Sequence, residues 1–197
     1  MPVNLFPRSS VDQGAITQMR QKAGVVVQDL ARGSSSVANL LYRNLRPSDT
    51  TLNGATILGE LVNPGTLTAN VYSTDVFPNF TTKSIQAFAI FGIALLNPTP
   101  LLDEITIYVG ADIVAILPLA EIQSPVSGTT PQIGYIFDPV FVPPSTHCRI
   151  DLLSGDGQTI SLEEFALLGF VGEKSGDTVN AQSQVVNSQY NPVAVAS

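Results

Sequence analysis

The chain predicts a mainly β protein, an antiparallel sandwich or barrel with an α-helical arm at its N-terminal end, and three observations carry this. Before Pro47, apolar residues recur at three- and four-residue steps. From Pro47 on, short apolar segments alternate with clusters of Pro, Gly, Asn, Asp and Ser. Charge divides at the same place. Arg8, Arg20, Lys22, Arg32, Arg43 and Arg46 against Asp12 and Asp29 leave 6 − 2 = +4 in the first segment, while Lys83, Arg149 and Lys174 against fourteen acids leave 3 − 14 = −11 in the rest.

The 197 residues suit one domain with a full core, flanked by an arm (1–46) and a tail (173–197) around a body (47–172). Only 13% of residues are charged, about half the usual share, so little charge is available to cover a free surface. The single cysteine, Cys148, excludes an internal disulfide framework. The N-terminal residues MPVNLFPRSSVDQ lack a basic-then-apolar leader, and the longest apolar run, Ala87 to Leu96, is too short to span a bilayer. Cytosolic synthesis is expected, and Asn79-Phe80-Thr81 is then a chance glycosylation match.

In the arm, Ser10 and Gln13 read as a capping box that opens a helix from about Val11 to Ala31. Val11, Ala15, Met19, Ala23, Val26 and Leu30 form its apolar stripe, widened by Ile16 and Val27. Gly33-Ser34-Ser35-Ser36 stops it, and a second short helix is expected from Ser36 to Leu45, ending ahead of Pro47. Three roles stay open for the arm and its bases Arg8, Arg20, Lys22, Arg32, Arg43 and Arg46. They are packing on its own domain, lying on anionic lipid, or touching nucleic-acid phosphates. The nucleic-acid role is weak, because no aromatic residues interleave with the arginines.

In the body, candidate strands are Ala55–Leu61, Thr66–Tyr72, Ser84–Leu96, Glu104–Val109, Ile113–Leu119, Gln132–Phe137, His147–Leu153 and Thr159–Val171. Ala87-Phe88-Ala89-Ile90-Phe91 and Phe165 to Val171 leave no polar face, so both of their sides need cover. The helices supply part of it, and a neighbouring subunit is expected to supply the remainder. Asp138 to Leu153 (DPVFVPPSTHCRIDLL) resembles the penultimate-strand region of a viral jelly roll, in which an extended segment, a proline turn and a strand follow one another. With eight candidate strands and a leading helical arm, the chain is similar, over about Ala55 to Val171, to the small single jelly-roll major capsid proteins of tailless, membrane-containing icosahedral double-stranded DNA viruses. That resemblance implies an eight-stranded jelly-roll sandwich. It further implies upright subunits in pseudo-hexameric capsomers, often shared with a second capsid protein, above an internal membrane.

No catalytic residue is expected. His147 and Cys148, the only histidine and the only cysteine, are neighbours on a strand and point to opposite faces, which excludes a thiol–imidazole pair. No metal or other cofactor is expected, since one histidine and one cysteine would need a carboxylate cluster beside them. Asp103-Glu104 and Glu163-Glu164 read as solvated strand ends. Ser154-Gly155-Asp156-Gly157 reads as a hairpin turn and lacks the alternating aspartates of a calcium loop. The tail is small and polar, either an extended segment without a core or a strap whose Val185, Val186, Tyr190, Val193 and Val195 dock into a neighbour. The expected function is a structural virion protein, made in host cytoplasm and resident in the capsid, with copies of itself, a second capsid protein and internal membrane lipid as partners and no small-molecule substrate. The rival is a spike, decoration or carbohydrate-binding sandwich, disfavoured by the absence of tryptophan for stacking on sugars.

Overall fold

The computed structural model describes residues 4–33, 40–45, 67–74, 79–95, 102–123, 132–156 and 165–174. One helix, α1 (Gln13–Arg32), and nine strands make up its regular elements: β1 (Phe6–Pro7), β2 (Leu40–Asn44), β3 (Phe80–Thr81), β4 (Gln86–Leu95), β5 (Glu104–Val109), β6 (Asp112–Pro118), β7 (Gln132–Val142), β8 (His147–Leu153) and β9 (Phe165–Lys174). They form a five-stranded sheet in the order β1-β7-β4-β9-β2 and a four-stranded sheet in the order β3-β8-β5-β6. Every described pairing is antiparallel. β2 lies beside β9, β3 beside β8, β4 beside β7 and β5 beside β6, so the last eight strands pair first with last, inward to the β5–β6 hairpin. Rolling such a nested hairpin so that alternate pairs fall in opposite sheets produces the jelly-roll sandwich.

The hairpin closes on Gly110-Ala111, where Gly110 takes φ +65°, a conformation that costs glycine nothing, and its N–H donates to the His147 carbonyl at 2.8 Å. β4 explains its own uninterrupted apolar run. Phe88 and Ile90 point into the sandwich while Ala87, Ala89 and Phe91 point outward. A bulge at Phe91, opposite the Gly169–Leu168 step of β9, then switches the parity, and Ile93 and Leu95 point inward. Between the sheets these side chains meet Ile105, Ile107, Leu117, Ile150, Leu152 and Phe165, all fully buried. Each such side chain contributes about 1.5–3 kcal/mol relative to an exposed one.

α1 covers the outer face of the five-stranded sheet. Ile16, Met19, Ala23, Val27 and Ala31 pack on Ala87, Ala89, Phe91 and Phe170. The contact is close because small residues meet across it: a Cβ on Gly172 would stand 2.5 Å from the Val27 carbonyl oxygen. The outer sides of β4 and β9, whose cover was expected from the helical arm and in part from a neighbouring subunit, pack against α1. The buried stripe is also rotated from the expected one. Ile16, Val27 and Ala31 are buried, while Ala15, Val26 and Leu30 are only half-buried at its edge.

Other expectations are corrected. Asp12, not the Ser10–Gln13 box, caps α1: its Oδ2 accepts from Gly14 N at 2.8 Å and Ala15 N at 3.2 Å, and a carboxylate also suits the positive end of the helix. Ser10 lies in a 3₁₀ turn and donates to the Pro7 carbonyl at 2.8 Å. In place of a second helix, Leu40–Asn44 is β2, running along β9 from Leu40↔Lys174 to Asn44↔Phe170. A ten-residue helix holds poorly on its own, whereas an open sheet edge satisfies the strand's backbone groups. The described part of the arm therefore contributes β1 and β2 to the five-stranded sheet. Residues 67–72, expected within a strand, contain a turn with Asn70 at φ +59°. Pairing along β8 starts instead at Ser73, opposite Leu152, and resumes at β3. Ser154-Gly155-Asp156 is not a hairpin either, since β8 and β9 belong to different sheets and this segment begins the crossover. β7 runs on through Asp138-Pro139 to Val142, by means of an irregularity between its Tyr135 and Val140 pairings with β4. The expected strand Ala55–Leu61 lies outside the described residues.

Candidate functional site

The outer face of the four-stranded sheet carries no covering element among the described residues, and the register of its strands decides what it presents. Tyr108 stands opposite Arg149 and Ile113, and Thr106 opposite Asp151 and Ile116. Directly opposed residues share a face. The guanidinium carbon of Arg149 lies over the Tyr108 ring, 3.8 Å from its centroid. Its Nη2 donates to Asp151 Oδ2 at 3.3 Å, and its Nε lies 3.0 Å from Asp151 Oδ1. The carboxylate of Asp151 is buried beneath the arginine, whose own side chain stays 37% exposed. Contact with Tyr108, and then the Asp151 charge, push the Arg149 guanidinium further up from an already high value, so it is cationic at any pH of interest.

A second polar group adjoins the first. Tyr72 Oη donates to Glu104 Oε1, and Thr106 Oγ1 donates to the same oxygen at 3.3 Å. The Glu104 hydrogen bond, then burial, raise the Tyr72 hydroxyl above its ordinary value. Asp103 receives the Gly155 N–H, so the Asp103-Glu104 pair, expected to be merely solvated, ties two loops to the sheet. Around these groups Val71 is 51%, Tyr72 46% and Ile113 47% exposed. Tyrosine, arginine and apolar side chains thus surround an ion pair of which only the carboxylate is buried.

The sequence-predicted arm residues do not converge. Arg8 lies exposed in the 3₁₀ turn, and Lys22 is exposed on α1. Arg20 places its guanidinium 5.8 Å from the Phe91 ring centroid and 5.5 Å from that of Phe170. Arg32 is 3.8 Å from Asp29 on the next turn. Arg43 is buried, and its Nε and Nη2 donate to the two carboxylate oxygens of Glu173 at 2.8 and 3.2 Å, which ties β2 to β9. Since α1 spends its apolar stripe on the sheet, what it turns outward is a polar ridge around Lys22 and Val25. Arg46, Val185, Val186, Tyr190, Val193 and Val195 lie outside the described residues, as do Glu163 and Glu164.

His147 and Cys148 point to opposite sides, as strand neighbours must. His147 is exposed, with Nδ1 3.3 Å from Thr81 Oγ1, whereas Cys148 is buried in the core and its thiol is pushed up to about 12 by burial. Among the described residues no group of three or more His, Cys, Asp or Glu side chains is placed to hold a metal, and no helix is long and apolar enough to cross a membrane. The Tyr72–Glu104 and Tyr108–Arg149–Asp151 groups were missed by sequence reasoning. Alternation within β5 and β8 puts Glu104, Thr106 and Tyr108 on one side and Arg149 and Asp151 on one side, but only the pairing of those strands brings the two rows together.

No family model matches the chain, and no curated protein matches it in sequence. Among solved structures it is similar to the infectious bursal disease virus VP2 subviral particle, at 12% identity over 75% of this chain and 36% of that one, with a TM-score of 0.33. It is likewise similar to the structure of the Gx strain of the same virus, at 12% identity over 72% and 34% of the respective chains, with a TM-score of 0.33. The chain spans about a third of the length of these structures.

Proposed function

We propose that this chain is a structural protein of a virus particle, a jelly-roll subunit that assembles with copies of itself into a shell. The observation that carries the proposal is the strand order. Nested pairing of β2 with β9, β3 with β8, β4 with β7 and β5 with β6 is the jelly roll, an architecture used by capsid proteins, lectins and cupins. The composition chooses among those uses. A cupin-type metal centre draws on several histidines, and this chain has one, exposed on β8. A lectin usually offers tryptophan, and there is none. A shell subunit needs a face open to a neighbour, and the uncovered tyrosine–arginine face of the four-stranded sheet is consistent with that reading. Purified protein should form large, uniform particles on concentration, read by sedimentation velocity and electron microscopy. A monodisperse monomer at millimolar concentration would contradict the proposal.

One observation favours a second reading, a carbohydrate-binding or decoration module. Tyr72 and Tyr108 sit beside Arg149, Asp151 and Glu104 on an open sheet face, and aromatic rings beside polar groups are what a sugar site requires. A glycan array giving one specific ligand for the monomer, lost in Tyr72→Ala, would favour it over the shell.

A further inference from the structure

β1 is the end strand of the five-stranded sheet, two residues long and paired to β7 through Phe6↔Tyr135 and Pro7↔Gly134. Along an antiparallel strand, successive residues turn their N–H and C=O groups to alternate sides. Leu5 N–H donates to Glu121 Oε2 at 2.8 Å and not to β7, so Leu5 and, two residues on, Pro7 turn their backbone groups away from the sheet. Pro7 has no N–H to offer, and its carbonyl already accepts the Ser10 hydroxyl at 2.8 Å. The outward side of this edge therefore holds no free donor. The Glu121 carboxylate comes from the 3₁₀ turn Leu119–Glu121, which follows β6 of the other sheet. Burial fixes the strand from the inner side: Leu5 lies in the core against Gly134, where a Cβ would stand 3.0 Å from Leu5 Cδ2.

Left open, this edge would be adhesive. Phe6 and Phe137 stack edge to face on it with ring centroids 5.0 Å apart, and each is 37% exposed. Apolar side chains beside unpaired backbone groups are what an added strand needs. We infer that Leu5, Pro7, Ser10 and Glu121 form a built-in edge stop, which keeps a second copy from pairing its own β1 antiparallel to this one and joining two five-stranded sheets into one. The two-fold arrangement that such a pairing would create sets each edge against its own counterpart, so a closure built into one copy acts on both sides of the contact. The inference goes beyond the shell reading and does not rest on it, because it concerns a contact that the subunit avoids.

Opening the edge tests the stop. Pro7→Val supplies the missing donor, Ser10→Ala frees the Pro7 carbonyl, and Glu121→Ala frees Leu5 N–H. Ser10 and Glu121 are exposed and Pro7 is half-buried, so the core is left in place. In sedimentation velocity the full-length triple variant should associate at a several-fold lower concentration than the wild type. The amides of residues 5–7 should exchange more slowly in the associated form than in the dissociated one. Glu121→Gln keeps an acceptor for Leu5 N–H and should behave as the wild type does. Leu5→Val loosens β1 without supplying a donor and should not raise association. A triple variant that sediments like the wild type, association without slower exchange at residues 5–7, or Leu5→Val associating as readily as the triple variant would each overturn the stop. Particle formation by the wild type is scored separately, so this inference and the shell reading can fail independently.

Discussion

The two outer faces of the sandwich solve one problem in different ways. An antiparallel sheet needs one face in the core and leaves the other to be dealt with. On the five-stranded sheet, that second face is Ala87, Ala89, Phe91 and Phe170, and the chain buries it under its own α1. On the four-stranded sheet, the second face is Tyr108, Arg149, Asp151, Glu104 and Ile113, and no described element lies on it. Small apolar residues mark a face finished within the subunit, because they let a helix approach closely. Tyrosine, arginine and hydrogen-bonded carboxylates mark a face that tolerates water.

The comparison breaks most sharply at the aromatic floor of α1. Phe170→Ala should cost about 3–5 kcal/mol of stability in urea unfolding, since it removes a buried ring touching Phe91 and lying beneath Arg20. If instead the helix rests loosely on the sheet, the loss will fall well below that range. Gly172→Val should cost about 1–3 kcal/mol, because its side chain meets the Val27 carbonyl and lifts the helix. On the open face, Arg149→Met should also cost about 1–3 kcal/mol, by leaving the buried Asp151 carboxylate without its partner. Arg149→Met combined with Asp151→Leu should recover most of that loss, and a failure to recover would mean that the pair does more than satisfy itself.

Cys148 adds a pH dependence within the shared core. Its thiol is raised above the unfolded value, so the folded state favours the neutral form. The resulting stability is complete below the ordinary thiol range near about 8.5 and falls by up to about 1.4 kcal/mol per unit as pH climbs from there toward about 12. Cys148→Ala should remove that alkaline slope from the unfolding curve, though other groups titrating there will keep theirs. The smallest effect is expected from Ile113→Ser, within about ±0.5 kcal/mol for folding of the subunit, yet it should weaken assembly.

Much of this was legible in the sequence, and the rest was hidden for identifiable reasons. β5 and β8 can be read to the residue because turn residues bound each and their alternation is clean. α1 is legible as well, though its cap passed to Asp12 because two good capping residues stand two positions apart. β2 was misread as a helix: Leu40, Leu41 and Leu45 suit either period over so short a stretch, and the partner that decides, β9, lies about 130 residues away. Cover for β4 and β9 was correctly demanded but assigned in part to a neighbour, since the sequence shows that both faces are apolar without showing that the stripe of α1 fits between Ala87, Ala89 and Gly172. The open face was invisible for the same reason, its two rows of side chains being joined only by strand pairing.

The most direct test of this division is radical footprinting of particles against dissociated subunits. Tyr72, Tyr108 and Ile113 should lose reactivity when particles form, while Phe91 and Phe170 remain protected in both states because α1 already covers them. Unchanged reactivity of Tyr72, Tyr108 and Ile113 in intact particles would show that the four-stranded face is not where subunits meet, and would contradict the account.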